Sequence, residues 1–575
     1  MKKKSVLFIS ILLALALSSC GRTLPSSISD IPSSETPSSL SSSELTSSKE
    51  SSVPSSSSIS SIFSSLELTS SSELSTSEVS SSSELSSSSE ITSSSELLSS
   101  SSEESSSSEP ISSSSEQSSS SSELPPEDVY VDIELFALND LHGNVIDSDS
   151  GLGISKTSTL LKTYPNNVNN ALYISQGDMW QGGAESNITK GNLVTEWMNQ
   201  LEFTSMTIGN HEFDWSTSYI EANRQLADFP FLGINVYDRN TNQRVNYLDP
   251  SVVINKNGAK IGIIGAIGDC YTSIASSVVS GVYFKVGYEL TNLVKQEAIR
   301  LRNEEQCDFI IYSIHDDDSY YDVELSNYVD IVFEGHTHQN YIRTDSKGVY
   351  HIQSAGYNKT INYINLTINT TKDTFVINRT NSIYTSNYDY YDNDSQAESL
   401  FTKYANVING LYDVIGYNAY KRGSGTLRNL VAKLYLQYGQ QAWGSQYNIF
   451  LGGGYLSCRS PYYLYEGDVN YAQLYTLFPF DNYLTLCSVK GSDLNSVFIN
   501  TTESNYYMYY SDYGNNNMYN VDSNATYYVV VDSYTSTWAP NNLTEVERYS
   551  VSDFYARDML AEFARAGGFM DYYIY

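Results

Sequence analysis

Over residues 129–370, segments with the apolar pattern of β-strands are followed by segments with the apolar spacing of helices. Short runs rich in Val, Ile, Phe and Tyr are typical of β-strands, and the segments between them repeat apolar residues at helical spacing. The predicted strands are VYVDIELFALND, ALYISQGD, FTSMTIGN, FPFLGINV, SVVINKNGAKIGIIGAIG, CDFIIYSIHD and VDIVFEGHTH, and the predicted helices are NLVTEWMNQL and YELTNLVKQEAIRLRNEEQ. This alternation predicts a layered α/β domain.

A polar stretch over 371–404, which contains NRTNSIYTSNYDYYDNDSQAES, predicts a connector to a second domain over 405–575. The second domain opens on a helical segment, SLFTKYANVINGLYDVIG. It continues through a helix, SGTLRNLVAKLYLQYGQQAW, to strands such as YLTLCSVKG and ATYYVVVDSY. The chain shows no solenoid-type repeat, so two globular domains are expected.

The first 20 residues, MKKKSVLFISILLALALSSC, combine three lysines, an apolar run and small residues. This pattern predicts a secretory signal peptide rather than a membrane span. The ending LSSC resembles the bacterial lipoprotein signal, which implies an extracytoplasmic chain anchored to the membrane or cell surface by a lipid on Cys20. An ordinary cleaved signal with an incidental cysteine is the alternative.

Residues 21–128 are mostly Ser with Glu at irregular intervals. They hold few large apolar residues and therefore predict a disordered tether, since such a segment cannot bury enough surface to fold. The stretch carries 17 acidic residues against Arg22 and Lys49, out of a net charge of −34 for the whole chain. We expect a spacer here rather than a binding segment.

The composition of residues 129–575 limits the classes of molecule that this chain could bind. It has no basic stripe or Lys/Arg-rich helix, which argues against duplex nucleic acid. Its four cysteines form no C-x-x-C motif and do not indicate a disulfide scaffold, although one or two bridges stay open. The sequence does not indicate an oligomeric state.

Five of the six histidines lie at or just past the ends of predicted strands. With nearby oxygen ligands they form an ordered set: Asp140 and His142 in LNDLHGN, Asp178 in SQGD, Asn210, His211 and Asp214 in TIGNHEFD, His315 in YSIHDDD, and His336 and His338 in EGHTHQ. Ligands of open α/β sheets bind beyond the carboxyl ends of the strands, so these side chains should meet in one crevice. Each motif alone also fits a surface pair, a turn, a helix cap or a core histidine.

The mixture of carboxylate, amide and imidazole groups, without cysteine, favours Zn²⁺, Mn²⁺ or Fe²⁺ over Ca²⁺. There are more ligands than one tetrahedral ion needs, which favours two divalent ions that share a bridging carboxylate. Such pairs activate a water molecule and hold the oxygens of a phosphoryl group. The sixth histidine, His351, has no matching ligand role and is interpreted as structural.

The ordered motifs D-x-H, G-D, G-N-H-E, H and G-H-x-H resemble the calcineurin-like metallophosphoesterases, and GNHEFD and GHTHQ resemble their secreted 5′-nucleotidase branch. The resemblance implies a four-layer αββα sandwich followed by a smaller α+β C-terminal domain. It also implies two metal positions that share the bridging ligand Asp178. One would be bound by Asp140, His142, Asp178 and His338, and the other by Asp178, Asn210, His315 and His336.

The same resemblance gives His211 a role that is not metal binding. It implies that His211 stabilises the phosphoryl transition state or assists the leaving group, and that Asp214 orients its ring. The spacing of three residues lets Asp214 lie beside His211 on one helical turn.

The resemblance is looser over 405–575. LFPFDNYL is similar to the P-F-x-N element of the family, which implies that Phe480 stacks on a nucleobase and Asn482 binds its edge. The implied second ring is Tyr534, with Trp538 as the alternative. GGGYLSCR inserts residues where the family has G-G-x-I-R, and TSTWAPNN replaces an acidic, Gly-rich element.

Two arginines of the second domain match residues that contact phosphate or ribose in the family. They are Arg422 in YKRGSGT and Arg459 in GGGYLSCR. A planar guanidinium suits phosphate because it donates two hydrogen bonds in a fixed fork.

The sequence thus predicts an extracytoplasmic two-metal phosphohydrolase acting on nucleoside 5′-monophosphates. A UDP-sugar or a 2′,3′-cyclic nucleotide is an alternative substrate. Alternatives of another class are a surface adhesin or nucleotide-binding protein without catalysis, and a surface protein whose Ser-rich tether is the functional part.

Overall fold

The computed structural model describes residues 127–148, 151–317, 323–459, 461–494, 498, 506–511, 521–537, 542–551 and 554–571. The predicted signal peptide, nearly all of the predicted tether, and Trp538 lie outside these residues. Within the described ranges, no helix is both long enough and apolar enough to cross a membrane.

Two six-stranded sheets form the centre of the N-terminal lobe, residues 127–408. Its strands are β1 (Tyr130–Leu138), β2 (Ala171–Ser175), β3 (Ser205–Thr207), β4 (Phe231–Leu232), β5 (Val236–Asp238), β6 (Ser251–Lys256), β7 (Ala259–Ile267), β8 (Val282–Phe284), β9 (Phe309–His315), β10 (Ile331–Glu334), β11 (Tyr341–Thr344), β12 (Tyr350–Gln353), β13 (Thr360–Asn369) and β14 (Thr374–Tyr384). The first sheet has the order β14-β13-β1-β2-β3-β4 and the second β11-β12-β10-β9-β7-β6, while β5 and β8 form a separate pair.

The N-terminal lobe also contains α-helices, some of which cover the outer faces of these sheets. They are α1 (Ile154–Thr163), α2 (Ala184–Ile188), α3 (Asn192–Gln200), α4 (Thr217–Leu226), α5 (Ser276–Val279), α6 (Tyr288–Asn303), α7 (Ser395–Lys403) and α8 (Ala405–Ile408). The space between the sheets is filled by apolar side chains of β1, β2, β7, β9 and β10. Helices α1 and α3 pack on the outer face of the first sheet, and α6 packs on the outer face of the second. The predicted αββα sandwich is confirmed.

The strand directions explain why the predicted ligands meet. β1, β2, β3 and β4 run parallel in the first sheet, and β7, β9, β10 and β12 run parallel in the second. Parallel strands end at the same edge, so the segments that follow them open on one crevice.

The stretch predicted as a connector over 371–404 is mostly part of the N-terminal lobe. β14 pairs antiparallel with β13 at the edge of the first sheet, and α7 packs against α1 and α3. Phe375 and Ile377 of β14 pack on the core between the sheets while polar residues alternate with them. An edge strand exposed on one side carries few apolar residues, and this is why its sequence resembles a linker.

The C-terminal lobe, residues 414–571, is built on a mixed five-stranded sheet. The strands of this lobe, which include two separate pairs, β15-β19 and β16-β18, are β15 (Val414–Asn418), β16 (Arg422–Gly423), β17 (Ile449–Tyr455), β18 (Tyr463–Leu464), β19 (Gly467–Asn470), β20 (Leu484–Lys490), β21 (Tyr506–Tyr510), β22 (Thr526–Asp532) and β23 (Thr544–Arg548). Its helices are α9 (Ser424–Trp443), α10 (Tyr471–Leu477), α11 (Gly491–Leu494), α12 (Ser533–Thr537) and α13 (Ala556–Arg565). The sheet has the order β21-β17-β22-β20-β23, and α9 packs on β17 and β21.

Four cysteines are described, and all of them are buried free thiols: Cys270, Cys307, Cys458 and Cys487. No disulfide therefore links this part of the chain, which agrees with the expectation that the cysteines do not form a scaffold.

Candidate active site

The seven predicted ligands converge where the two sheets end. Six of them form two groups in which one ligand atom per residue lies within 4.8 Å of the others, and a third such group joins His142 and Asp178 to His211. One group contains Asp140, His142 and His338, and the other contains Asp178, His315 and His336. His336 and His338, separated only by Thr337, thus belong to different groups. Asn210 joins the second group, since its Oδ1 lies 3.1 Å from Nε2 of His315.

The backbone at these ligands is unusual. Asp140, His142, Asp178, His336 and His338 all have positive φ angles, between 49° and 69°. Non-glycine residues seldom adopt this left-handed conformation, and such strain persists only where the surrounding structure imposes it. The turns that follow the strands therefore aim the side chains into the crevice at a cost in backbone energy.

Hydrogen bonds to backbone carbonyls set the tautomers of two histidines. Nδ1 of His142 donates to the carbonyl of Gln181 at 3.0 Å, and Nδ1 of His315 donates to that of Gln176 at 2.6 Å. When either ring is neutral, its Nε2 presents a lone pair to the crevice, as a metal-binding imidazole must.

Each of these nitrogens lies close to another potential ligand atom. Nε2 of His142 lies 2.9 Å from Nε2 of His338, and Nε2 of His315 lies 3.3 Å from Oδ2 of Asp178. Closely spaced imidazole and carboxylate groups are donors that divalent metal ions prefer, so the donor set fits two such ions. Oδ2 of Asp178 also lies 3.9 Å from Nε2 of His142, which places this carboxylate between the two groups.

The electrostatics of the crevice suit cations. Burial and the guanidinium of Arg459 lower the pKa of His142 well below its ordinary value, and burial and His315 lower the pKa of His336 to about 4. Both rings are thus neutral, as ligands must be. Burial also lowers the pKa of His315, but the carboxylate of Asp178 outweighs it and raises that pKa to about 10, which shows that this pair attracts positive charge.

His211 and Asp214 form the predicted pair beside the metal ligands. Nδ1 of His211 donates to Oδ2 of Asp214 at 2.8 Å, and the backbone N–H of His211 donates to Oδ1 of Asp178 at 2.8 Å. The backbone and the ring of His211 are therefore each held by a carboxylate, and its Nε2 points into the crevice.

Nη2 of Arg459 donates to that Nε2 at 2.6 Å. The guanidinium also lies 5.3 Å from the ring centre of Phe480, and Nη1 donates to the hydroxyl of Tyr357 at 3.3 Å. Arg459 and Phe480 belong to the C-terminal lobe, whereas His211 and Tyr357 belong to the N-terminal lobe. The two lobes thus meet at the metal-ligand side chains.

A cavity of about 370 Å³ opens at this meeting point. Its walls include His211, Arg459, Phe480, Asn482 and Tyr534. The ring of Tyr534 packs against that of Tyr455 at 5.6 Å, and Ser533 Oγ lies 3.4 Å from Oδ1 of Asn482. The cavity therefore combines aromatic faces with the polar groups around His211.

Residues 134–340 match the calcineurin-like phosphoesterase family, and residues 413–539 match the 5′-nucleotidase C-terminal domain family. The chain belongs to the calcineurin-like phosphoesterases that carry a 5′-nucleotidase C-terminal domain.

Individual relatives agree with this membership. Protein UshA from Yersinia enterocolitica is 30% identical over 231 residues, which cover 37% of this chain and 41% of that protein. A 5′-nucleotidase from Vibrio cholerae is 28% identical over 183 residues, covering 31% of this chain and 32% of that protein. The matched segments thus span less than half of these curated relatives.

The solved structure of a 5′-nucleotidase precursor from Thermus thermophilus has the same fold. It superposes with a TM-score of 0.60 over 76% of this chain and 96% of that chain, at 18% identity. Both lobes of the phosphoesterase therefore have a counterpart of known architecture.

Not every predicted substrate residue lies in the cavity of this phosphoesterase. Arg422, predicted to contact phosphate or ribose, is 3% exposed and does not line the cavity. Its guanidinium donates to Oδ1 of Asn418 at 2.8 Å and to the carbonyls of Phe569 at 2.8 Å and Asp571 at 2.6 Å. This side chain thus joins β16 to the C-terminal end of the lobe, and a contact of Arg422 with substrate stays a prediction.

His351, interpreted as structural, lies on β12 and is buried. Its Nδ1 lies 2.8 Å from Oε1 of Glu334. This contact between neighbouring strands is what a structural role requires.

Glu212 belongs to the motif GNHE but receives no role from the sequence. Its carboxylate accepts the backbone N–H groups of Asp178 at 2.9 Å, Met179 at 2.8 Å and Gly209 at 2.8 Å. Burial and the charge of Asp178 raise the pKa of Glu212 to about 7. Through these three hydrogen bonds, Glu212 holds the turn that carries the carboxylate of Asp178. A Cβ at Gly209 would come within 2.3 Å of Oδ1 of Asp178, so only glycine fits there.

Tyr357 is a second residue that sequence reasoning missed. Its ring centre lies 5.2 Å from that of His142 and 5.3 Å from that of His338, and its hydroxyl contacts Arg459. The motif YNK around it carries no recognisable pattern, and among 49 tyrosines it does not stand out.

Proposed function

We propose that this chain is a two-metal phosphohydrolase that releases inorganic phosphate from nucleoside 5′-monophosphates. The observation that carries the proposal is the contact of Arg459 with His211. This contact brings a guanidinium, which suits phosphate, next to an aromatic ring and the candidate metal ligands around one cavity. The 5′-nucleotidases among the relatives support the same reaction.

We expect the seven candidate ligands to be shared between two metal ions according to the two groups of side chains described above. Asp178 would be shared between the ions, which we expect to be zinc, manganese or iron. When bound, the two ions activate water and neutralise the charge that develops on the phosphoryl oxygens. The first ion would be held by Asp140, His142, Asp178 and His338, and the second by Asp178, Asn210, His315 and His336.

The remaining side chains bind and orient the substrate. The guanidinium of Arg459 would pair with phosphoryl oxygens in place of His211, and a doubly protonated His211 would stabilise the phosphoryl group or give its Nε2 proton to the departing 5′-oxygen. Asp214 keeps the ring of His211 in the required orientation, because it accepts the Nδ1 proton.

The base would lie in the aromatic part of the cavity. Phe480 and Tyr534 offer ring faces for stacking, and Asn482 offers an amide for the edge of the base. Stacking is tolerant of base identity, so the amide is the group that would discriminate among bases.

A UDP-sugar is the second candidate substrate. A further cavity of about 230 Å³ shares Arg459 with the first and is lined by His142, Tyr357, Tyr463 and Glu185. A substrate with a group on each side of the reacting phosphorus could occupy both cavities. Tyrosine faces and a carboxylate suit the rings and hydroxyls of a sugar.

We also propose that the enzyme works outside the cytoplasm, held to a membrane by a lipid on Cys20. The sequence MKKKSVLFISILLALALSSC supports this anchor. Replacing Cys20 by Ala in the native host should abolish labelling by a fatty-acid analogue and release the protein from the membrane fraction. Unchanged labelling and membrane association would refute the anchor.

Hydrolysis of AMP to phosphate, of a UDP-sugar to UMP and sugar phosphate, and of 2′,3′-cyclic AMP to the monophosphate, each followed by chromatography of the products, tests the activity. The protein should be loaded with Mn²⁺ or Zn²⁺ and compared with His211→Ala. We expect AMP to be preferred, chelation to abolish release, and the variant to lose about 10²-fold or more in kcat. A protein that binds two metals and AMP but hydrolyses none of the three substrates would be a catalytically silent nucleotide-binding protein.

A further inference from the structure

The segment that carries Phe480 and Asn482 is held to both lobes by side-chain ion pairs. It lies between α10 and β20, and its middle residue, Asp481, is an acid with a cation on each side. Oδ2 of Asp481 lies 2.9 Å from Nζ of Lys190, and Oδ1 pairs with Nη2 of Arg557. Lys190 belongs to the N-terminal lobe and Arg557 to the C-terminal lobe.

Arg557 fixes the segment within its own lobe. Nη1 donates to the carbonyl of Phe480 at 2.9 Å, and the guanidinium lies 3.9 Å from the ring centre of Tyr475. The side chain is only 4% exposed, so this half of the cluster is part of the lobe interior. Although burial raises the pKa of Asp481, the charges of Arg557 and Lys190 outweigh it and lower that pKa below its ordinary value.

Lys190 connects the segment to the catalytic side. It lies in the turn between α2 and α3 with a positive φ of 50°, and its carbonyl accepts a hydrogen bond from Nδ2 of Asn223 at 2.8 Å. Its ammonium also lies 4.9 Å from the ring centre of Trp215, the residue after Asp214. One cation thus touches both the base-binding segment and the neighbour of the residue that orients His211.

We propose that Lys190 is a positioning residue for nucleobase recognition, which holds Phe480 and Asn482, through Asp481, at a set distance from His211. The inference rests on the proposed nucleotidase function and concerns its base-binding side. Lys190 does not line the cavity, so it would act only through Asp481. A second contact from the same lobe supports this arrangement, since Nδ2 of Asn187 lies 3.4 Å from the carbonyl of Pro479.

The test compares Lys190→Met with a matched lysine. Lys162 pairs with Asp394 at 2.8 Å, with side chains 30% and 16% exposed, against 29% and 21% for Lys190 and Asp481. Both partners of the control pair lie in the N-terminal lobe, so Lys162→Met removes a similar ion pair without affecting the base-binding segment. The substrates are AMP and ribose 5-phosphate, which lacks a base.

For Lys190→Met we expect KM for AMP to rise about tenfold with kcat within about twofold of the wild type, because binding of the base is weakened while the chemistry is kept. Hydrolysis of ribose 5-phosphate should be unchanged. Lys190→Arg should restore KM for AMP, and Lys162→Met should match the wild type. Added salt should raise KM for AMP in the wild type more than in Lys190→Met, since it screens the ion pair.

Equal losses on AMP and ribose 5-phosphate, or an unchanged KM for AMP, would overturn the role of Lys190. Failure of the underlying function would look different: the wild type itself would not prefer AMP over ribose 5-phosphate. In that case both the nucleotidase function and the role of Lys190 would be rejected.

Discussion

Nη2 of Arg459 lies 2.6 Å from Nε2 of His211, although 248 residues separate them along the chain. Arg459 follows β17 in the C-terminal lobe, and His211 follows β3 in the N-terminal lobe. Neither lobe contains the pair alone. The cavity therefore forms only where the two lobes pack against each other.

Replacing Arg459 by Met should lower kcat/KM for AMP by about 10–100-fold, since a hydrogen bond to a charged group contributes about 1.5–3 kcal/mol. Arg422→Met is the matched control within the same lobe. It should lower thermal stability, because the carbonyls of Phe569 and Asp571 lose their donor, while kcat/KM stays unchanged. Steady-state kinetics and thermal unfolding distinguish the two variants. A raised KM in Arg422→Met would support the role that the sequence suggested for it.

Replacing Asp214 by Asn should reduce kcat by about 10²–10⁴-fold while both metals stay bound. The carboxylate accepts the Nδ1 proton of His211 at 2.8 Å, and an amide that turns its NH₂ group toward this atom no longer favours that tautomer. Kinetics and elemental analysis of metal content are the measurements. Asp249→Asn, at a partly exposed carboxylate paired with Arg224, is the control. Loss of metal from Asp214→Asn would mean that Asp214 acts on the metal site instead.

His336→Ala and His338→Ala should each lose one ion, and the ion should come from a different position in each variant. The prediction follows from their membership of separate ligand groups. Metal content per chain should fall from two to one in both, and reconstitution with Co²⁺ should give different absorption spectra for the two variants. His351→Ala should keep two ions, because its ring contacts Glu334. Identical spectra for the two variants would show that both histidines bind the same ion.

Asp532 should make stability depend on pH. It is buried, and burial raises its pKa to about 6 from an ordinary value of 3.8. Its contribution to stability is full below pH 3.8 and is lost as the pH rises through 6, a loss of about 2–3 kcal/mol in total. Asp532→Asn should therefore gain stability relative to the wild type as the pH rises from about 4 to about 7, as measured by urea unfolding. A constant difference between the two proteins across this range would contradict the prediction.

The ligand set could be recognised from sequence because each member has a distinctive residue type at the end of a strand. His315 ends β9, and Asp178 follows β2 at the turn SQGD. Strand direction then brings these ends together without any detailed packing information. The same patterning predicted a layered α/β domain, since the strands are rich in apolar residues, whereas the αββα order was implied by the resemblance to the family.

Other features had no such local signal. β14 has the composition of a linker because one side of it faces solvent. Arg422 and Arg459 look alike in sequence, yet the first bonds to backbone carbonyls and the second contacts His211. The direction in which a long side chain points depends on which neighbours offer acceptors.

The sequence by itself determined the layered fold, the family motifs and the candidate metal ligands, because these depend on residue type and on the order of strands. Only the tertiary structure decided that Glu212 holds the turn at Asp178, that Arg459 reaches His211, and that Lys190 holds Asp481. These contacts join residues that are distant in the chain and ordinary in composition. Their existence depends on how the lobes pack, which no local pattern records.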